Sequence, residues 1–241
     1  MKKTILLSSI LAVGAAFADV KTTTIDINTV GVMGISMPSS VQLVAVPFLG
    51  WNADAITIND MINTAELNVG SKLYAPSGED KYNIWQLTKG AGNSKVWTKL
   101  EHEYVIDDKG AAKETETTSA DVSVMSRGGA YWLEPTGGSG THFYLVGRPA
   151  DVAGSSSLEA DKWNLIGNTS GVAKEFPHAY GVKDEIICVP NGNGGLTRYT
   201  YVERSSCVGW VKTGERAKTN DTIQHGQGIW YFSKTSKSIT W

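Results

Sequence analysis

Charged residues are scarce in this sequence, and the two signs nearly cancel. Lys and Arg number 22 and Asp and Glu 24 among 241 residues, which gives a formal net charge of −2. The basic residues are scattered, whereas a nucleic-acid groove normally presents a basic face, so nucleic acid is not an expected partner. Apolar residues make up 41% of the chain, and this content together with the small net charge argues against disorder.

Long apolar runs are also missing. The one extended run covers residues 5–12 and is much shorter than the roughly 20 residues that span a membrane. Two lysines precede it and Ala16-Phe17-Ala18 follows it, which is the pattern of a cleavable secretory signal peptide. The sequence therefore predicts a signal peptide over residues 1–18 and export to the periplasm, the outer surface or the extracellular space. It predicts no transmembrane segment in the mature chain.

Cysteine occurs only twice, at Cys188 and Cys207. An even number of cysteines in an exported protein is typical of a disulfide. Both residues lie on predicted strands that a third strand separates, whereas bridged Cα atoms lie within about 7 Å. The sequence leaves a disulfide and two free buried thiols as open alternatives. Two cysteines alone do not make a metal site.

Patterns that would indicate catalysis are absent as well. The serine-rich tracts lack a Gly-x-Ser-x-Gly elbow. The paired acids, Asp107 with Asp108 and Glu114 with Glu116, fall in an insertion that we expect to be an exposed hairpin tip or mobile loop, where catalytic carboxylates lack a rigid frame. Four histidines, His102, His142, His178 and His225, show no metal-binding spacing. The sequence thus predicts no catalytic residue, metal or cofactor.

What the chain does have is an internal repeat. Ser-Val-Met-Ser-Arg-Gly-Gly-Ala-Tyr-Trp ends at Trp132, and Asp-Thr-Ile-Gln-His-Gly-Gln-Gly-Ile-Trp ends at Trp230. Each motif places a glycine, Gly128 or Gly226, shortly before a bulky pair that ends in tryptophan. Similarity of this kind within one chain is the signature of a repeated structural unit.

Matching strand-like runs precede both motifs. Residues 42–48 correspond to 164–168, 72–76 to 185–190, 82–87 to 198–202 and 95–99 to 209–213. These runs are rich in β-branched and aromatic residues and are separated by glycine-containing turns. They predict an all-β fold of two pseudo-repeated antiparallel units, each of which forms a small barrel or a sandwich-like structure. Residues 58–67 have helical spacing and predict one short helix in a loop.

The repeat also predicts how the chain is divided. Residues 19–135 form the first unit, with insertions at 49–69 and 101–120, and residues 162–241 form the second unit. Residues 136–161 supply a connecting strand and a linker. The strand predicted over residues 141–147 is expected either to bridge the units or to pair with a strand that begins at Lys21.

The second unit contains Asn164-Leu165-Ile166-Gly167, a Tyr- and Trp-rich meander over residues 199–210, and a closing segment that runs from Gly226 to Tyr231. In these features it resembles uncharacterised exported tandem-repeat β proteins of Gram-negative bacteria. The first unit departs from their pattern at Gln42 and at Gly128-Gly129-Ala130. The resemblance implies a secreted β fold and carries over no catalytic residue.

The closing motifs indicate a structural role. Gly128, Gly226 and Gly228 permit a bulge or a close backbone approach. We expect Trp132 and Trp230 to lie in equivalent core or half-buried positions, since aromatic side chains are mostly buried. The alternative is that they form a sugar-stacking platform.

Three functions remain open. The sequence favours an exported, non-enzymatic β protein with a structural, cell-surface or adhesive role, whose partner is a glycan or another envelope protein. The first alternative is a carbohydrate-binding module that uses exposed tryptophans, for which Trp51, Trp85 and Trp97 are the candidates. The second is a secreted hydrolase, which would need a cleft with convergent polar groups.

Overall fold

The computed structural model is an all-β protein built from open antiparallel sheets that do not close into a barrel. It describes residues 31–36, 41–48, 56–63, 66–76, 82–106, 112–119, 124–125, 127–137, 142–149, 154–191 and 195–241. The predicted signal peptide and Trp51 lie outside these residues. No helix in the described ranges is long and apolar enough to cross a membrane.

The first large sheet has six strands. They are β2 (Gln42–Ala45), β5 (Lys72–Pro76), β6 (Tyr82–Lys89), β7 (Lys95–Ile106), β8 (Ala112–Ser119) and β10 (Ala130–Glu134). All neighbours are antiparallel, and the order across the sheet is β2-β10-β5-β6-β7-β8. The closing strand β10 therefore lies between the first strand of the sheet and the meander.

The second large sheet has five strands in the same order. They are β13 (Lys162–Gly167), β15 (Ile186–Pro190), β16 (Leu196–Arg204), β17 (Cys207–Lys212) and β19 (Gly228–Ser233), arranged β13-β19-β15-β16-β17. Apart from β8, each strand of the first sheet thus has a counterpart at the same place in the second. The registers define matched residues, for example Trp132 beside Tyr74 and Trp230 beside Cys188.

Smaller elements accompany each sheet. Beside the first are β1 (Gly31–Ser36), β11 (His142–Gly147) and β4 (Ile62–Asn63), in the order β1-β11-β4, and the pair β3 (Ile56–Thr57) with β9 (Val124–Met125). Beside the second are the pairs β12 (Ser155–Leu158) with β20 (Lys237–Thr240) and β14 (Lys174–Glu175) with β18 (Thr222–Ile223). The remaining turns are α1 (Ile58–Met61) and two 3-10 helices, Ala91–Asn93 and His178–Tyr180.

Two sequence expectations need correction here. The helix expected over residues 58–67 is only the single turn α1, because the chain continues at once into β4, which pairs with β11. The insertion expected to be a loop tip contains β8, paired with β7 over its whole length. Its alternating Thr and Glu residues suit an edge strand, where charged side chains discourage further pairing. Strand β11 pairs with β1, whereas residues 21–30, where the expected partner strand begins, lie outside the described residues.

Each large sheet has its own hydrophobic core. The first core joins Leu73, Trp85 and Leu133, which are neighbours across three strands, to Leu145 of β11. The second core is built around the fully buried Trp210. Rings pack edge-on against Trp210 at centroid distances of 5.3 Å for Tyr201 and 5.4 Å for Tyr231. Aromatic pairs of this geometry stabilise beyond their buried area.

The two sheets meet through their backbones. Gly128 and Gly226 both have positive φ, +88° and +68°, a conformation that glycine adopts without steric cost. The Ala45 N–H donates to the Gly226 carbonyl at 2.8 Å, and the Gly167 N–H donates to the Gly128 carbonyl at 3.1 Å. A Cβ atom at Gly167 would lie only 1.9 Å from the Cβ atom of Ala45. The junction therefore depends on a close approach that larger side chains would prevent.

Candidate aromatic binding face

Two of the three tryptophans proposed for glycan stacking are core residues. Trp85 and Trp97 are 2% and 1% exposed and belong to the first hydrophobic core. The expectation that they could offer stacking surfaces is therefore wrong, because their strands turn these side chains towards the core. Trp51, the third candidate, lies outside the described residues.

Trp132 and Trp230 point to the opposite side of their sheets. Trp132 stands between Tyr131 and Leu133, and Trp230 between Ile229 and Tyr231, whose side chains all lie in the cores. Successive side chains of a strand point to opposite faces, so both tryptophans lie on the outer face. They are half-buried, which fits the half-buried alternative expected for them. Their rings contact each other at 6.5 Å and 46° across the junction.

A third tryptophan extends this contact. Trp163 on β13 is 48% exposed, and its ring lies 6.3 Å from that of Trp230 and 5.6 Å from that of Phe232. We call Trp132, Trp163, Trp230 and Phe232 the aromatic face. The angle between the Trp163 and Trp230 rings is 90°, so these rings form a creased surface and not a flat strip.

Polar and sulfur-containing side chains border the aromatic face. Tyr74, which pairs with Trp132, donates a hydrogen bond to the Glu134 carboxylate. Burial, followed by that hydrogen bond and the carboxylate charge, raises the pKa of Tyr74 to about 12. On the other side Cys188 pairs with Trp230 and with Arg198. Burial raises the pKa of the Cys188 thiol although the charge of Arg198 acts against it, so this thiol is a poor nucleophile at neutral pH.

The two cysteines are free and half-buried. Cys188 lies opposite Arg198 and Cys207 opposite Arg204, both on β16. The two arginines are six positions apart, which corresponds to about 20 Å along an extended strand, far beyond the reach of a disulfide. Of the two alternatives left open by the sequence, the structure has the free thiols.

The histidines that the structure describes in full serve the backbone. His178 accepts a hydrogen bond at Nδ1 from the N–H of Trp210, at 3.3 Å, and the same place in the first sheet is taken by Asn59, which accepts from the Trp97 N–H at 2.8 Å. Burial, with the nearby charge of Lys218, lowers the pKa of His178, which keeps Nδ1 available as an acceptor. His225 contacts the carbonyl of Ser170.

A buried carboxylate lies at the end of the second core. Glu185 is fully buried, and both of its oxygens are 2.6 Å from Nζ of Lys237. The Tyr231 hydroxyl and the Lys234 N–H also donate to it, at 2.7 and 2.9 Å. A carboxylate surrounded by donors in this way is held in its charged form and is closed to substrate. Within the described ranges, no three His, Cys, Asp or Glu residues form a group that could hold a metal ion.

Comparison of the chain with protein-family models, with curated proteins and with solved structures gave no match.

Sequence reasoning missed Trp163, although a signal for it was present. Strand β19 reads Gly-Ile-Trp-Tyr-Phe-Ser, with large apolar residues at consecutive positions. A strand with one solvated face alternates apolar and polar residues, whereas this strand is apolar on both faces. Its outer face therefore needs a covering, and the strand beside it, β13, contributes Trp163 to that face.

Proposed function

We propose that this chain is an exported, non-enzymatic β protein that acts by binding through its surface, in a structural, cell-surface or adhesive role. The aromatic face is the observation that supports this most. Trp230 packs on Trp132 at the junction, but Trp163 projects away from the core and is 48% exposed. Exposed large apolar side chains that adjoin other apolar groups mark interaction surfaces, and tryptophan is enriched where such surfaces bind.

The proposal includes duplication of one β unit. The two large sheets share their strand order, and the two closing segments make reciprocal hydrogen bonds at the junction. A duplicated unit of this kind brings Trp132 and Trp230 together at its centre. Two copies thereby build a larger outer surface than one sheet provides.

The test is binding to cell-envelope preparations. Purified protein is incubated with peptidoglycan sacculi and with outer-membrane fragments, and the bound fraction is measured for the wild type and for Trp163→Ala. We expect retention by envelope material and at least about tenfold weaker retention of the variant, a loss of 1.4 kcal/mol or more. The control is Val208→Ala, which changes a 60% exposed apolar residue on the far edge strand of the same sheet and should bind as the wild type does.

Carbohydrate binding is the second candidate, and the exposure of Trp163 favours it. A sugar ring stacks its apolar C–H face on an indole while its hydroxyl groups reach polar neighbours. The 90° angle between Trp163 and Trp230 favours a single sugar residue over a flat polysaccharide chain. A glycan array probed with the wild type and with Trp163→Ala separates this reading from protein binding, since only sugar binding gives array signals that the substitution removes.

Hydrolysis is the outcome that would overturn the proposal. Turnover of a glycoside, an ester or a peptide by the purified protein would contradict a non-enzymatic role. Such turnover should also persist in Trp163→Ala if it arises from a site elsewhere in the chain.

A further inference from the structure

A cavity of about 310 Å³ lies in the first unit, next to the junction. Its walls include the side chains of Ile58, Trp85, Met125 and Tyr131, and Leu165 reaches it from the second sheet. Ligand pockets in proteins start at about 300 Å³ and are mostly apolar with a few polar groups. This cavity has that size, is open to solvent on one side, and is lined by polar and apolar groups in nearly equal measure. Leu165 is the strand partner of Trp230, so the cavity extends to the side of the second sheet that carries the aromatic face.

In the second unit, the position that corresponds to Ile58 of the cavity wall carries an aromatic ring. In the pairs β3 with β9 and β14 with β18, Met125 corresponds to Ile223, so Ile58 corresponds to Phe176. The ring of Phe176 packs on that of Tyr199 at a centroid distance of 4.4 Å. Tyr199 is in turn the counterpart of Trp85, since Trp85 pairs with Leu73 of β5 and Tyr199 pairs with Ile187 of the corresponding strand β15.

A second position differs in the same direction. Ala75 lines the cavity, and its counterpart in the second unit is the larger Val189, because each precedes the proline that ends its strand. At these two positions the first unit carries the smaller side chains, whereas its wall residues Trp85 and Tyr131 are larger than their counterparts Tyr199 and Ile229. Phe176 and Val189 are both buried in the second core.

We propose that this cavity is a binding site for a small amphipathic molecule, namely one aromatic ring with a hydrogen-bonding substituent. The indole of Trp85, the ring of Tyr131 and the thioether of Met125 suit a flat apolar ring, since sulfur and aromatic edges both make favourable ring contacts. Asn83, on the same wall as Trp85, has an amide that can both donate and accept a hydrogen bond.

The probe for the test is p-cresol, which has one ring and one hydroxyl group. The full-length protein with ¹³C-labelled Ile, Leu and Met methyl groups is titrated and followed by NMR. We expect saturable shifts at Ile58, Met125 and Leu165, and unchanged methyl signals from Leu158 and Ile239 in the second core. Shifts confined to the surroundings of Trp163, or no saturable shift at any of the three methyl groups, would contradict the site.

Two variants install the side chains of the second unit. Ala75→Val and Ile58→Phe should each weaken p-cresol binding at least about tenfold, equivalent to 1.4 kcal/mol, by filling the space. The reciprocal variant Val189→Ala should bind within about twofold of the wild type, because it changes the other core. Unchanged affinity in a folded Ala75→Val protein overturns the proposal. That variant adds only two carbons, so it remains informative if Ile58→Phe fails to fold.

A variant at Asn83 tests the polar part of the site apart from the apolar part. Asn83→Val should weaken binding of p-cresol and leave binding of toluene, which lacks the hydroxyl group, nearly unchanged. Equal effects on the two probes would remove Asn83 from the site. Trp163 does not line the cavity, so Trp163→Ala should leave p-cresol binding unchanged, and failure of the proposed surface function would not by itself overturn this site.

Discussion

The tryptophans of this fold differ in burial, and the stability lost when each is replaced by alanine should increase with its burial. Trp210 is fully buried among other rings, Trp132 and Trp230 are half-buried, and Trp163 is 48% exposed. We expect Trp210→Ala to lower the free energy of unfolding by about 3–5 kcal/mol, as for other large core truncations. Trp132→Ala and Trp230→Ala should cost about 1–3 kcal/mol, and Trp163→Ala about 0.5 kcal/mol or less.

Urea denaturation measures these costs directly. Equal losses for Trp163→Ala and Trp210→Ala would show that the aromatic face supports folding, and would count against its assignment as a binding surface. A small loss for Trp163→Ala, combined with lost binding, separates function from stability at that residue.

Glu185 and Lys237 form a buried ion pair that should matter more than any surface pair. Removing one partner of such a pair leaves the other charge without compensation, at a cost of about 3–5 kcal/mol. We expect Glu185→Gln to lose stability in this range. The matched control is Lys162→Gln, which breaks the exposed pair with Glu159 and should cost about 1 kcal/mol or less. Similar losses for the two variants in urea denaturation would contradict the buried pair.

The pKa of Glu185 leads to a prediction about how stability depends on pH. Burial alone would raise the pKa of Glu185, but hydrogen bonds from Lys237, Tyr231 and two backbone N–H groups outweigh it, so the pKa lies below its ordinary value. A lowered pKa means that the unfolded chain binds the proton more readily. The stabilisation is therefore complete above the unfolded pKa, about 4.3, and is lost as the pH falls through the folded value. Between pH 6 and pH 3 the wild type should lose more stability than Glu185→Gln.

At the scale of elements, the close approach of the two sheets can be tested by moving one methyl group from Ala45 to Gly167. A Cβ atom at Gly167 would collide with that of Ala45, so Gly167→Ala should cost about 1–3 kcal/mol, as overpacked cores do. Ala45→Gly removes the opposing methyl group, and the double variant should recover most of the loss. A double-mutant cycle in urea measures the coupling. Additive losses, or a neutral Gly167→Ala, would contradict the close approach.

The strands of the meanders could be predicted because their signals are local. The runs that became β5, β6, β15 and β16 combine alternating apolar residues with glycine-containing turns, and these features act within a few residues. Strand β8 was missed because its polar Thr and Glu residues are typical of loops, and only pairing with β7 makes them a strand. The helix over residues 58–67 was overextended because pairing of β4 with β11, a contact between distant parts of the chain, outweighs local spacing.

The candidate sites depend even more on distant contacts. Trp85 and Trp97 looked available in the sequence, yet their direction follows from which face of the first sheet the core occupies. The aromatic face forms only because β10 and β19 meet at the junction and β13 pairs beside β19. The cavity depends on Ile58 and Leu165, which come from opposite halves of the chain. No local pattern specifies such contacts.

For the whole molecule, the arrangement of cores and outer face supports the proposed binding role. Each sheet covers its inner side with its own smaller strands, while the outer aromatic face at the junction keeps Trp163 largely exposed. The charged groups of the second core are already paired, as in Glu185 with Lys237. Within the described residues, the exposed Trp163 and its half-buried aromatic neighbours therefore form the surface proposed for binding.

The proposed role at the cell surface requires the protein to leave the cytoplasm, and this gives the last prediction. Expressed in a Gram-negative host, the chain should be exported and cleaved after Ala18, so that N-terminal sequencing of the exported protein begins at Asp19. Replacing Lys2 and Lys3 by glutamate removes the positive start of the predicted signal peptide and should retain uncleaved protein in the cytoplasm. The control replaces Lys21 and Lys162 by glutamate, which changes charge by the same amount beyond the cleavage site and should leave export unaffected. Uncleaved wild-type protein confined to the cytoplasm would contradict export and, with it, a role at the cell surface.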